Sequence, residues 1–288
     1  MNFLNLYKTY QYRVNKKLYY ILNNLSFKKS HLLKAMQYSL FSGSKRLRSS
    51  LVYATGDMLK VHITTLDVIS VVIECIHSYS LIHDDLPCMD NDNLRRGQHS
   101  CHIKYGEDIA LLAGDALQSL AFNILSNSHM PHVCDTQRIK MISELSKSIG
   151  SSGMCIGQML DLESKKKIIN VSQLTMINLY KTAYLIRSSI RLTYFSSNYI
   201  SKSILSTLDI LSISLGLAFQ IQDDILDIKN DLMVKKNTYP AIVGLKNSQI
   251  KIKELYTESL SALDNLEKQS FDIKILAQLI NFIIQCIK

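Results

Sequence analysis

The sequence has no tryptophan, and only three prolines and ten glycines punctuate its 288 residues. A sandwich or barrel of many short strands needs turn residues at close intervals, and this supply cannot furnish them. Six cysteines (Cys75, Cys88, Cys101, Cys134, Cys155, Cys286) show neither CxxC spacing nor a pairing logic. They read as reduced thiols of a cytoplasmic protein rather than a zinc site or a disulfide framework. Between Met1 and Lys17 there is no uninterrupted apolar stretch and no small-residue cleavage site, which argues against secretion. No repeat, low-complexity linker or break in composition marks a second domain, so one domain over residues 1–288 is expected.

What is present is apolar and helical in period. Nearly half the residues (47%) are apolar, which excludes a disordered tail. Spacings of three and four recur, as in Leu32, Leu33, Met36, Leu40 and in Leu205, Leu208, Leu211, Leu215, Phe219, whereas strict alternation is nowhere sustained. The most apolar stretch, Leu66 to Ile82, carries Asp67, Glu74 and His77, and fits a buried core helix better than a membrane span. Breaks are expected at Ser42-Gly43-Ser44, Pro87, Arg96-Gly97, Met130-Pro131, Gly150 to Gly153, and Lys229 to Pro240. They leave about ten helices of common length, an all-α assembly around a central cavity. The net charge of +9 raises nucleic acid as a partner, but the lysines are scattered and no nucleic-acid motif appears. A modest positive field equally suits small anions such as diphosphates.

Two acidic clusters each close an apolar run: His83-Asp84-Asp85-Leu86-Pro87-Cys88-Met89-Asp90-Asn91-Asp92 and Gln222-Asp223-Asp224-Ile225-Leu226-Asp227. Carboxylates among apolar residues are costly unless their charge is compensated, and Mg²⁺, which takes a few carboxylates plus phosphate and water oxygens, is the usual compensator. Asp223 and Asp227 lie four apart and share a helix face, while Asp224 is rotated away by about 100°. Asp84 and Asp90 are six apart; Pro87 forbids a regular turn between them, so the chain must bulge and can return Asp90 to the side of Asp84. On this geometry Asp85 and Asp224 rank below their neighbours as ligands. Basic residues interleave: His77 stands seven before Asp84 on the same stripe, Lys45-Arg46-Leu47-Arg48 follows Gly43, and Leu94-Arg95-Arg96-Gly97 follows the first cluster. Cations and carboxylates around one helix end are the layout for holding phosphates directly and through metal ions.

Those residues, with Gly43 to Arg48, Leu112-Ala113-Gly114-Asp115-Ala116, Gly157-Gln158, Lys181-Thr182 and Phe219 to Asp224, resemble the trans-polyprenyl diphosphate synthases, and among them the bacterial enzymes making farnesyl diphosphate. The motifs occur in the family's order and span most of the chain. The resemblance implies a cytoplasmic all-α homodimer that condenses isopentenyl diphosphate with dimethylallyl or geranyl diphosphate. Asp84, Asp90, Asp223 and Asp227 would hold Mg²⁺ on the allylic diphosphate, which Arg95, Lys181 and Lys236 would grip. Lys45, Arg48, His77 and Arg96 would bind isopentenyl diphosphate, and Thr182 and Gln220 would face the developing carbocation. Ser44, Ser49 and Ile156 depart from the family's glycine, proline and glycine at those places. Similar synthases with an aromatic at the position of Tyr79 and two extra residues among Leu86 to Met89 make fifteen-carbon products. Only eight residues, Ile228 to Lys235, separate Asp227 from Lys236, fewer than is usual in the family, which implies weakened binding of the allylic substrate.

Other classes fit less well. A catalytically silent partner subunit typically loses an aspartate motif, and both are intact. A metal-dependent phosphohydrolase built on His77 and His83-Asp84 needs further histidine ligands, and His31, His62, His99, His102, His129 and His132 form no such pattern. A terpene cyclase would not need the set at Lys45, Arg48 and His77.

Overall fold

In a computed structural model, residues 2–165, 167–226 and 237–285 are described. Among them the apolar periods become fourteen α-helices. The first is α1, Phe3–Asn23, whose start is capped by the Asn2 side chain accepting from the Leu4 amide. Next comes α2, His31–Phe41, capped in the same manner by Ser30 on Leu33. Then follow α3, Leu47–Met58; α4, Ile63–Asp84; α5, Cys101–Tyr105; α6, Glu107–Asn127; and α7, Asp135–Ile149. The second half comprises α8, Met154–Ser164; α9, Val171–Asn178; α10, Tyr184–Phe195; α11, Lys202–Leu226; α12, Tyr239–Val243; α13, Leu245–Lys268; and α14, Lys274–Gln285. The fold is all-α, as the periods require.

The expected breaks at Ser42 to Ser44, Pro87, Met130-Pro131 and Gly150 to Gly153 all separate helices. The expected break at Arg96-Gly97 becomes something more definite. Leu94–Arg95 (β1) pairs antiparallel with Gln98–His99 (β2), and Arg96 and Gly97 both take positive φ, 53° and 75°, in the two-residue turn. Period-two alternation is invisible in strands of two residues, so nothing in the pattern announced this hairpin. Most of the Lys229 to Pro240 break lies outside the described residues; Pro240 itself sits in the first turn of α12, where its missing N–H costs nothing.

At the centre stands α4. Fourteen of its twenty-two residues are buried, because its apolar residues cover most of the circumference rather than one stripe. By length and apolar content α4, α6 and α11 could each cross a bilayer, and α11, with a mean hydropathy of 1.7 against 1.5, exceeds α4, contrary to the expectation that α4 holds the most apolar stretch. In the fold α4 is enclosed by α1, α2, α3, α6 and α10. One apolar cluster gathers α1, α2, α4, α6 and α7, and a second gathers α9 to α14 with part of α3. A cavity of about 560 Å³ draws its walls from both, with Tyr79, Met154 and Leu185 from the first and Leu174 and Ile177 from the second.

Candidate active site

The cavity receives the C-terminal end of α4. Beyond it the chain folds back as Pro87 demands: the Leu86 amide bonds to the His83 carbonyl, and the Asp90 amide donates to the Asp84 carbonyl at 2.9 Å. This return sets both carboxylates around the Lys181 ammonium, Asp84 Oδ2 at 3.6 Å and Asp90 Oδ2 at 3.8 Å. Burial pushes the Asp84 carboxyl up to about 6, with Lys181 opposing and Asp90 reinforcing the shift. Burial would depress Lys181, but Asp84, Asp161 and Asp90 outweigh it and raise the ammonium above its ordinary range.

Lys181 is presented by an unusual piece of backbone. Leu179–Ala183 is a π-helical segment between α9 and α10. Gly157 of α8 packs directly on it: a Cβ there would lie 2.4 Å from the Lys181 amide nitrogen, so only glycine permits this approach. The same packing aims Asp161 at Lys181, with Nζ to Oδ2 at 2.6 Å. At Gly114 a Cβ would meet the His83 ring at 2.0 Å, so any larger residue there would displace that ring. His83 itself, at the end of α4, approaches the Leu111 carbonyl at 3.0 Å rather than the carboxylates.

The hairpin parts two arginines that are adjacent in sequence. Arg95 donates to buried Asp85 and, at 3.1 Å, to Asp92. Arg96 points the other way, to the Ser42 carbonyl at 3.0 Å and towards His77 Nε2 at 3.3 Å. Arg48 Nη1 lies 3.5 Å from the same His77 nitrogen. Burial lowers His77 well below its usual range, and the guanidinium groups of Arg48 and Arg96 lower it further, so the imidazole is neutral at ordinary pH. Burial also lowers Arg48, and its Nε has no hydrogen-bond partner. Lys45 lines this end of the cavity too.

Arg46, in the same motif, does something else. It is 3% exposed and pairs with Glu74 at 2.6 Å, while Ser49 donates to the other Glu74 oxygen at 2.8 Å. Ser49 thus holds the carboxylate where the family has a proline, which could not. Because Glu74 is taken by Arg46, the charges of Lys45, Arg48 and Arg96 stay available to an anion.

On the facing wall α11 carries Gln220, Asp223 and Asp224. The Thr182 hydroxyl donates to Gln220 Oε1 at 2.7 Å, and Gln220 Nε2 donates to Asp224 Oδ1 at 3.0 Å. Asp224 also accepts from the Tyr239 amide at 3.0 Å, so this buried carboxylate ties α11 to α12. Asp227 and Lys236, expected as metal ligand and diphosphate contact, lie outside the described residues. Sequence reasoning missed Asp161, whose one signal was its place four residues after Gly157, on the same side of a helix that must come close to its neighbour.

Among the described residues no three His, Cys, Asp or Glu side chains converge to hold a metal by themselves. Two carboxylates, Asp84 and Asp90, do share one cation, and Asp84 binds its proton more tightly than a free carboxyl. That donor set fits Mg²⁺, which takes one or two carboxylates and completes its shell with phosphate and water.

A helical bundle whose cavity sets a carboxylate pair and a ring of cations against an apolar interior defines a class that binds an anionic head and an apolar tail. Sequence comparison agrees: the family described as Polyprenyl synthetase matches residues 29–273, and the chain belongs to that family. It is 67% identical to a farnesyl diphosphate synthase of Buchnera aphidicola subsp. Acyrthosiphon pisum (strain APS), covering 93% of this chain and 98% of that protein. Among solved structures it is similar to a geranyltransferase from Legionella pneumophila, with TM-score 0.89 at 34% identity over 98% of this chain and 96% of the other. A geranyltransferase from Helicobacter pylori, complexed with magnesium and isoprenyl diphosphate, matches with TM-score 0.84 at 31% identity over 99% and 97% of the two chains.

Proposed function

We propose that the chain is a farnesyl diphosphate synthase, a single domain over residues 1–288 that condenses isopentenyl diphosphate with dimethylallyl and geranyl diphosphate. The observation that carries the reading is the cavity itself. It has carboxylates and Lys181 at one end, Arg48 and Arg96 with Lys45 and His77 at the other and apolar walls between.

Asp84, Asp90 and Asp223, with Asp227, are the residues to hold magnesium. Magnesium held by them would neutralise the diphosphate leaving group, the chemistry that lets the allylic C–O bond ionise. Lys181, Arg95 and Lys236 add direct cationic contacts to the same diphosphate. Lys45, Arg48, His77 and Arg96 hold the diphosphate of the second substrate, and the orphaned Arg48 Nε supplies a donor that an anion would satisfy. Thr182 spends its proton on Gln220 Oε1, which leaves lone pairs on both oxygens to face the carbocation. Tyr79, Leu174, Ile177, Leu185 and Phe219 line the remaining wall and keep water from that cation. The double bond of isopentenyl diphosphate is the nucleophile, and the proton lost from the resulting cation passes to the released diphosphate, so neither a side-chain nucleophile nor a side-chain base is needed. A cytoplasmic homodimer is the form we assign. In its support, Cys75, Cys88, Cys101, Cys134 and Cys155 are free thiols, and α6 leaves Leu111 and Leu112 exposed.

The test is incubation with labelled isopentenyl diphosphate, dimethylallyl diphosphate and Mg²⁺, followed by product chromatography. A fifteen-carbon diphosphate, absent when EDTA is added, is expected. No incorporation of label would overturn the reading.

A further inference from the structure

Asp90, at the carboxylate end of the cavity, meets a second ammonium group besides Lys181. Lys165, at the C-terminal end of α8, reaches the folded-back segment after Pro87: its Nζ lies 2.7 Å from Asp90 Oδ1 and 3.4 Å from the Met89 carbonyl. Lys181 approaches the other oxygen, Asp90 Oδ2, at 3.8 Å. Both oxygens of Asp90 therefore face ammonium groups.

The position of Lys165 follows from the helix that carries it. It stands four residues after Asp161, so both project from the side of α8 that faces the site. The close approach at Gly157 fixes that helix against the π-helical segment. The lysine head is different: its side chain is 36% exposed and its four-carbon stem is free to swing. Lys181, by contrast, is hemmed in by Asp84, Asp90 and Asp161 together. A cation that merely neutralised Asp90 would oppose any divalent ion seeking the same carboxylate. One that can leave Asp90 for an incoming phosphate oxygen instead contributes to binding.

We infer that Lys165 is a further binding residue for the allylic diphosphate, paired with Asp90 in this structure and transferred to phosphate oxygens when the diphosphate enters with its metal. This rests on the function proposed above and adds to it a cation that none of the motifs contains.

The experiment is calorimetric titration of inorganic pyrophosphate, at saturating Mg²⁺, into the wild-type protein, Lys165→Met and Lys165→Arg, with Mg²⁺ alone as the control titration. Steady-state KM for both substrates is measured alongside. The methionine variant should bind pyrophosphate about tenfold more weakly, the cost of one charge-assisted contact, and raise the allylic KM similarly. Its KM for isopentenyl diphosphate and its affinity for Mg²⁺ alone should not weaken, and arginine should restore most of the loss. Unchanged or tighter pyrophosphate binding in Lys165→Met would overturn the inference, leaving Lys165 as a plug on Asp90. Failure of the wild-type protein to bind pyrophosphate at all would overturn both the inference and the function beneath it.

Discussion

The two ends of the cavity solve the same problem, an anionic ligand in a half-buried place, in opposite ways. At one end Asp84, Asp85, Asp90, Asp92 and Asp161 outnumber Lys181, Lys165 and Arg95, and burial leaves Asp84 holding its proton up to about pH 6. At the other end Arg48 and Arg96 converge on a neutral His77, Lys45 lines the same wall, and Glu74 is occupied by Arg46. The first end has an excess of negative charge and needs a metal to hold a diphosphate. The second has an excess of positive charge and can hold one directly. An asymmetric site of this kind can tell two diphosphates apart by the help each needs, since only one of them must arrive with metal and leave as diphosphate.

The largest test of that contrast is at the first end. Asp84→Ala should lower turnover by about 10³-fold or more, the scale of losing a principal stabiliser of the leaving group. It should still fold, because it removes one of several repelling carboxylates. Turnover assays with circular dichroism check both, and full activity in this variant with EDTA present would remove the metal from the mechanism. At the second end Arg48→Ala should raise the KM for isopentenyl diphosphate by roughly ten- to a hundredfold, the loss of one charge-assisted contact. The allylic KM should stay within about twofold, and equal changes in both would mean the ends are not distinct.

Between the ends lies the apolar wall. Tyr79 is 6% exposed, lines the cavity and meets the His83 ring edge to face at 5.8 Å. Removing its ring in Tyr79→Ala should lengthen the product to twenty carbons or more, read by chromatography. A product still stopping at fifteen would place the floor elsewhere. The smallest expected effect is on stability. His77 is held neutral in the folded protein below its ordinary titration range, so the unfolded chain takes up the proton first as pH falls. The contribution of His77 to stability should therefore decline below about pH 6.5, by up to about 1.4 kcal/mol per pH unit, while above that pH His77 adds no slope. Asp84, raised to about 6, acts in the opposite sense. His77→Asn should flatten that decline in thermal melts recorded from pH 7.5 to 5, and identical slopes would mean the imidazole is not excluded from protonation.

Much of this was legible in advance where the cause is local. Pro87 announced that Asp90 would turn back towards Asp84, and the chain returns through the bond from the Asp90 amide to the Asp84 carbonyl. The seven-residue interval put His77 on the stripe of Asp84, and both face the cavity. The segment after Asp227, on which an expectation of weak allylic binding was built, lies outside the described residues. What escaped the sequence was relational. The π-helical turn at Lys181 leaves no periodic trace over five residues, and Asp161 looked like an ordinary helix carboxylate until packing at Gly157 brought it to Lys181.

The sequence by itself determined that the chain is helical, roughly where its helices stop, and that acidic clusters close two apolar helices, because periodicity, proline and glycine act over one or two turns. Only the tertiary structure decided which charges meet. Arg46 reaches Glu74 across 28 residues and Lys181 reaches Asp161 across 20, while Arg95 and Arg96, side by side in the chain, are turned to opposite ends of the cavity by a two-residue hairpin. The reason is physical. An ion pair depends on distance in space, and that distance is set by how helices pack, at contacts as particular as a missing Cβ on Gly157.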